Sequence, residues 1–188
     1  SEQIVFYELK NQLPDSFEVF YSVSWTLNRN GKKEKSEADF VVVSPDYGYL
    51  CLEVKGGDGI RVEDNEWTLL DHVHGDRKLP RSPHEQAEAS MYFFKRAYSN
   101  EYSIDYQGIF AAGVIFPFYS VNNIEQFSNR PDVCTIDCTG MNDLYSKIKK
   151  MFKFWGGASF GYRIYEKNQH KTFVEIIRKR IAIDAAAG

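Results

Sequence analysis

Apolar residues recur at helical spacing from the start of the chain. Ile4, Val5, Leu9 and Leu13 fall near one face, and Pro14 closes the run. An alternating pattern replaces it: Phe17, Val19, Tyr21, Val23 and Trp25 stand against mostly polar neighbours, which predicts a half-buried strand. The polar, basic stretch RNGKKEKSE then reads as a loop. Two strongly apolar runs follow, near 38–45 and 49–55, separated by Pro-Asp-Tyr-Gly, and predict a hairpin buried on both faces.

Further on, GGDGIRVEDNEWTLLD predicts a small hairpin turning at Asp64-Asn65, and residues 71–83 lack an apolar period and predict an exposed loop. A helix is predicted from Pro83 to about Ser99, with the proline in its first turn. GIFAAGVIFPF reads as a buried strand and VCTID as a short one. NDLYSKIKKMFKFW is a helix opening on an Asn or Asp cap, and TFVEIIRKRIAI is the last helix. The order predicts an α/β fold, a mixed sheet with helices packed on it.

A length of 188 residues suits one domain, spanning 1–188, with room for a sizeable core. The 15% aromatic content argues against disorder. Apolar runs fall short of a membrane span, and the chain does not open with a basic segment followed by an apolar one, so neither membrane insertion nor secretion is expected. Three cysteines, Cys51, Cys134 and Cys138, give an odd count without disulfide-scaffold spacing, which fits a reducing, cytoplasmic compartment. The tail AIDAAAG does not read as a natural domain end, so a fragment of a longer protein is expected.

Net charge is −3, which carries no global signature of nucleic-acid binding. Its distribution is uneven. From Lys147 to Arg180, ten basic residues (Lys147, Lys149, Lys150, Lys153, Arg163, Lys167, Lys171, Arg178, Lys179 and Arg180) face only Glu166 and Glu175. Two readings remain for this segment: a solvated helix surface, or a phosphate-contacting one led by Lys147, Lys149, Lys150 and Lys153.

Asp39, Glu53 and Lys55 are out of place in the apolar hairpin. Each unpaired ion beside such a sheet costs roughly several kcal/mol. Glu53 and Lys55 share one face, because strand side chains alternate. A three-residue turn at Asp46-Tyr47-Gly48, with Gly48 left-handed, sets Asp39 opposite Lys55 and Val41 opposite Glu53. All three charges then meet at the open end of the hairpin. Two carboxylates and an ammonium in that place suit metal-assisted phosphodiester hydrolysis. They equally suit a buried ion triad with no chemistry.

Asp39 and the Glu53-Val54-Lys55 run on paired strands, after an N-terminal helix, resemble the PD-(D/E)XK nuclease superfamily. The segments SEQIVFYEL, EADFVVVSPDYGYLCLEVKGGDG, NEWTLL and SPHEQA, spread over about residues 1 to 100, resemble the nuclease-related domain (NERD) family more narrowly. The resemblance implies a restriction-endonuclease-like mixed β-sheet flanked by α-helices. It also implies an Mg²⁺-dependent DNA endonuclease, a hydrolase with Mn²⁺ able to substitute, acting in DNA processing or repair. Asp39 and Glu53 would be metal ligands, Val54 would offer its carbonyl and Lys55 would be the catalytic lysine. Glu2 would match the acidic residue of the first helix, and Gln86 the polar residue of the later helix that supports the site. Such domains are often fused to a helicase or other module. The rival expectation is a non-catalytic DNA-binding or interaction module that keeps the nuclease fold.

Weaker signals change little. Pro45-Asp46 falls in a turn, where both residues are ordinary. His72, His74, Cys134 and Cys138 lack the spacing of a zinc motif. GGDG after Lys55 has neither a following lysine nor a helix signal, so it is not read as a nucleotide loop.

Overall fold

The structure, a computed structural model, describes residues 1–122, 124–161 and 165–187. Arg163, counted above among the basic residues, lies outside them, as does Gly188 of the tail. The chain runs through helix α1 (Glu2–Gln12) and strands β1 (Glu18–Arg29), β2 (Lys32–Ser44) and β3 (Gly48–Val54). Next come β4 (Gly59–Glu63), β5 (Glu66–Leu70), β6 (Arg77–Lys78), helix α2 (Pro83–Tyr102) and β7 (Ile109–Ile115). The one-turn helix α3 (Glu125–Ser128), β8 (Thr135–Ile136), α4 (Leu144–Gly156) and α5 (Lys167–Ala187) complete it.

The principal sheet has the order β1-β2-β3-β7-β8. Its first three strands are antiparallel neighbours, while β3, β7 and β8 are parallel, so the sheet is mixed as expected. Central β3 is buried along its whole length. Tyr49 and Cys51 join Ala87, Met91 and Phe94 of α2 and Phe173 and Ile177 of α5 on one face. Leu50, Leu52 and Val54 join Val5 and Leu9 of α1 and Ile148, Met151 and Phe152 of α4 on the other. Burial on both faces explains why β3 reads as an unbroken apolar run. A second sheet, β4-β5-β6, sets Trp67 in a small apolar cluster with Val114 and Phe116 at the end of β7.

Several local expectations are corrected. RNGKKEKSE is a ribbon, not a loop: β1 and β2 pair without a gap from Val23 and Ala38 out to Arg29 and Lys32. Asn30 (φ 51°) and Gly31 (φ 79°) form the two-residue turn that Asn-Gly favours. The β2–β3 register also differs, because Ser44 pairs with Gly48 and Phe40 with Leu52. The turn is therefore Pro45-Asp46-Tyr47, and Gly48 belongs to the ladder. The shift is by two residues, so faces are preserved, and continuing the ladder sets Asp39 across from Glu53 instead of Lys55.

The alternation of β1 is not continuous either. Phe17 belongs to the core under α1 and α4, whereas Val23 and Trp25 belong to the core under α2 and α5. The switch occurs at Ser22, whose φ is 57°, and β2 switches with it between Phe40 and Ala38. The ladder breaks at this point, directly opposite Asp39. A smaller correction concerns 71–83, which is mostly exposed but contains β6, paired to β5.

Helix boundaries follow local chemistry. Ser82 caps α2 by accepting from the Glu85 amide at 3.1 Å, with Pro83 next. Asp143 stands at the start of α4, but the Leu144 amide is capped by Gln12 Oε1 of α1 at 2.8 Å. Gln12 thereby ties α1 to α4.

Candidate active site

β3 ends beside the break in β2, and three charged residues gather there. Glu53 is 3% exposed, on the last ladder positions of β3. Asp39 is half-buried, and its Oδ2 accepts from the Val54 amide at 2.8 Å. The break frees Asp39 from its ladder position, and this bond fixes the carboxylate against the end of β3. Lys55 continues the strand by donating its amide to Ile115 at 3.0 Å, while the Tyr119 hydroxyl bonds its carbonyl at 3.3 Å.

Electrostatics mark the pair. Burial pushes the Glu53 carboxyl up to about 9, reinforced by the charge of Asp39 beside it and opposed by Lys55. Asp39 is also raised, by burial first, against the Val54 amide, a hydrogen bond with Glu53 and the charge of Lys55. Without a cation, the two carboxyls therefore retain a proton at neutral pH. Glu53 Oε1 is buried and has no hydrogen-bond partner. Such an atom is costly unless a ligand satisfies it.

That orphaned oxygen tests whether the residues fit a metal. Paired carboxylates suit Mg²⁺, which takes one or two of them and keeps several waters. Among the described residues no cluster of three or more His, Cys, Asp and Glu is arranged to hold a metal ion. The pair fits, and Glu2 does not complete a third ligand.

Glu2 is nevertheless near, since its charge adds to the upward shift of Asp39. It accepts from Ser1 Oγ at 2.9 Å, and Ser1 packs against Gly56 just past Lys55. A Cβ at Gly56 would lie 2.9 Å from that of Ser1, so the glycine lets α1 begin at the strand end. Gln86 of α2 reaches β2 farther out than Asp39, at Ser36. Its side-chain nitrogen donates to Ser36 Oγ and its oxygen accepts from Arg81 Nε at 2.7 Å. Neither Ser36 nor Arg81 carries a sequence signal for this contact, because Ser36 sits in the stretch that reads as loop.

The four lysines occupy α4, which packs on the opposite layer from α2. Lys150 and Lys153 are exposed, Lys147 shares a cleft with Asp132 and Asp137, and Lys149 lies 4.4 Å over the Tyr145 ring. His72 and His74 bond Asp58 and Asp71 on the exposed loop. Asp46 sits in the hairpin turn, at the opposite end of β3 from Glu53. No helix among the described residues is long and apolar enough to cross a membrane.

Comparison with known proteins gives one match. The profile of the family described as NERD, nuclease-related domain, matches residues 1–118. No curated protein and no solved structure matches the chain. The matched segment contains α1, β1 to β7, α2 and every residue of the carboxylate site.

Proposed function

Since this chain belongs to the nuclease-related domain family, we propose that it hydrolyses phosphodiester bonds in DNA with a divalent metal, Mg²⁺ or Mn²⁺. The observation that carries this reading is the buried Glu53 oxygen without a hydrogen-bond partner, set beside Asp39 at the end of β3. Asp39 and Glu53 would hold the metal, with the Val54 carbonyl beside them. When bound, the metal supplies a Lewis acid and lowers the pKa of its water.

The chain's own residues do the rest. The Val54 amide fixes one oxygen of Asp39, so this carboxylate is oriented before any ligand arrives. Lys55 supplies a cation on the face of Glu53, where negative charge develops as water attacks phosphorus and the P–O bond to the leaving oxygen breaks. Glu2 adds negative charge at the rim. Gln86 holds the outward continuation of β2 through Ser36, which positions Asp39 indirectly.

A second reading is a non-catalytic DNA-binding module, fused to a helicase or another domain. What favours it is that Gln86 is engaged by Ser36 and Arg81, and that the carboxylates are two, not three. Incubating the protein with supercoiled plasmid and single-stranded DNA in Mg²⁺ or Mn²⁺ separates the readings. Cleavage that EDTA abolishes is expected; binding without cleavage under every metal selects the module.

A further inference from the structure

Next to the carboxylates, α1 and β1 leave aromatic rings in solvent. Phe6 is 39% exposed and Tyr21 51%, although Phe40 beneath them is fully buried. Phe6 stacks on Phe40 with ring centroids 6.3 Å apart, Tyr21 meets Phe40 at 5.3 Å, and Tyr21 meets Phe6 edge-on at 6.4 Å. With Glu2 and Gln3 the two rings line an open apolar depression of about 260 Å³. Packing from below holds both rings in place while their upper surfaces stay uncovered.

The position is informative. Tyr21 immediately precedes the Ser22 break and pairs with Phe40, the neighbour of Asp39. Its hydroxyl lies in the field of Glu2, Glu37 and Asp39. On α1, Lys10 stands four residues beyond Phe6, about 6 Å along the helix axis, and shares a cleft with Val19 of the same strand. The surface thus runs from carboxylates to rings to a cation.

Resting on the reading of Asp39 and Glu53 as a phosphodiester site, we propose that Phe6 and Tyr21 are a stacking platform for a base of an unpaired DNA strand. Lys10 takes a neighbouring phosphate, and the domain engages single-stranded or frayed DNA in preference to intact duplex. Every base has a π-face, so aromatic rings grip single strands with little sequence preference. In a duplex those faces are stacked on neighbouring bases and closed to the protein unless a base is extruded.

The test titrates wild type, Phe6→Leu, Tyr21→Leu and Tyr21→Phe into fluorescein-labelled oligo-dT and into a labelled duplex, in EDTA at fixed salt, following anisotropy. Each leucine variant is expected to lose about tenfold in oligo-dT affinity, Tyr21→Phe to retain it, and duplex affinity to stay within about twofold. Equal oligo-dT binding by leucine variants and wild type overturns the platform and leaves the patch to a protein contact. So do equal losses on both DNAs, or a wild type that does not bind oligo-dT. Melting curves accompany each variant, and if Tyr21→Leu fails to fold, Phe6→Leu on the helix surface decides. Mn²⁺-dependent plasmid nicking by wild type is run alongside. Intact nicking with unchanged oligo-dT binding removes the platform alone. Selective loss of oligo-dT affinity in a protein that never nicks keeps the platform and removes the cleavage reading.

Discussion

Glu53 joins the chemistry of the site to the stability of the fold. The folded protein holds its proton up to about 9, whereas an unfolded glutamate releases it near ~4.3. The folded state therefore binds more protons across that window, and stability falls as pH rises through it. In EDTA, the melting temperature of wild type is expected to drop by several degrees between pH 5 and pH 9. Glu53→Gln, which carries no titrating group, flattens that decline and melts higher at the alkaline end. A domain of this size moves by about 2–4 °C per kcal/mol, so the contrast is measurable by calorimetry. Parallel pH curves for the two proteins would contradict a buried Glu53 carboxyl that keeps its proton beside Asp39. Mn²⁺ should abolish the decline in wild type, because a cation replaces the proton between the carboxylates.

Among the secondary-structure elements, Gly31 isolates backbone strain, whereas Gly48, at φ 148°, adds a packing clash to it. At Gly31, φ is 79° and a Cβ would meet open space, so Gly31→Ala costs about 1 kcal/mol through conformation alone. At Gly48 a Cβ would lie 2.0 Å from the Ile109 carbonyl oxygen, which forces β3 away from β7. Gly48→Ala should destabilise by about 3 kcal/mol or more, and similar denaturation midpoints for the two variants would contradict this account. The same elements explain what could be read from sequence. The helices and the apolar strands were legible because one buried face, or two, imposes a periodicity. The ribbon leaves little trace in the sequence because both faces of Lys32–Glu37 are largely solvated, giving no apolar pattern beyond the Asn-Gly turn. The Ser22 break was invisible because Val19, Tyr21 and Val23 keep strict alternation in sequence while the backbone rotates between them. The convergence of Asp39 and Glu53 was legible for a simple reason: a two-residue error in register leaves parity intact. The engagement of Gln86 by Ser36 and Arg81 was not legible, since it depends on how α2 crosses the ribbon.

For the whole molecule, the mixed sheet sets one end of β3 as the site and buries the rest between two helical layers. On the proposed reading, DNA would reach that end along charged surface. Of the four α4 lysines, Lys150 and Lys153 are free to contact phosphate, while Lys147 and Lys149 are partly committed to the Asp132–Asp137 cleft and Tyr145. Replacing all four with Gln is expected to lower the salt slope of DNA binding by about two units, near 0.9 per lost contact. An unchanged slope assigns α4 to solvent.

The central claim is that Asp39, Glu53 and Lys55 form a catalytic centre, not a structural ion triad, and Lys55→Met tests it most directly. Methionine keeps much of the stem volume and removes the cation. Calorimetric Mn²⁺ titration, melting and Mn²⁺-dependent plasmid nicking are measured on wild type and variant together. The account predicts Mn²⁺ binding in both, similar melting in its presence, and nicking reduced by about a hundredfold or more in the variant. A wild type that never cuts DNA, paired with a variant destabilised by about 3–5 kcal/mol, would contradict it.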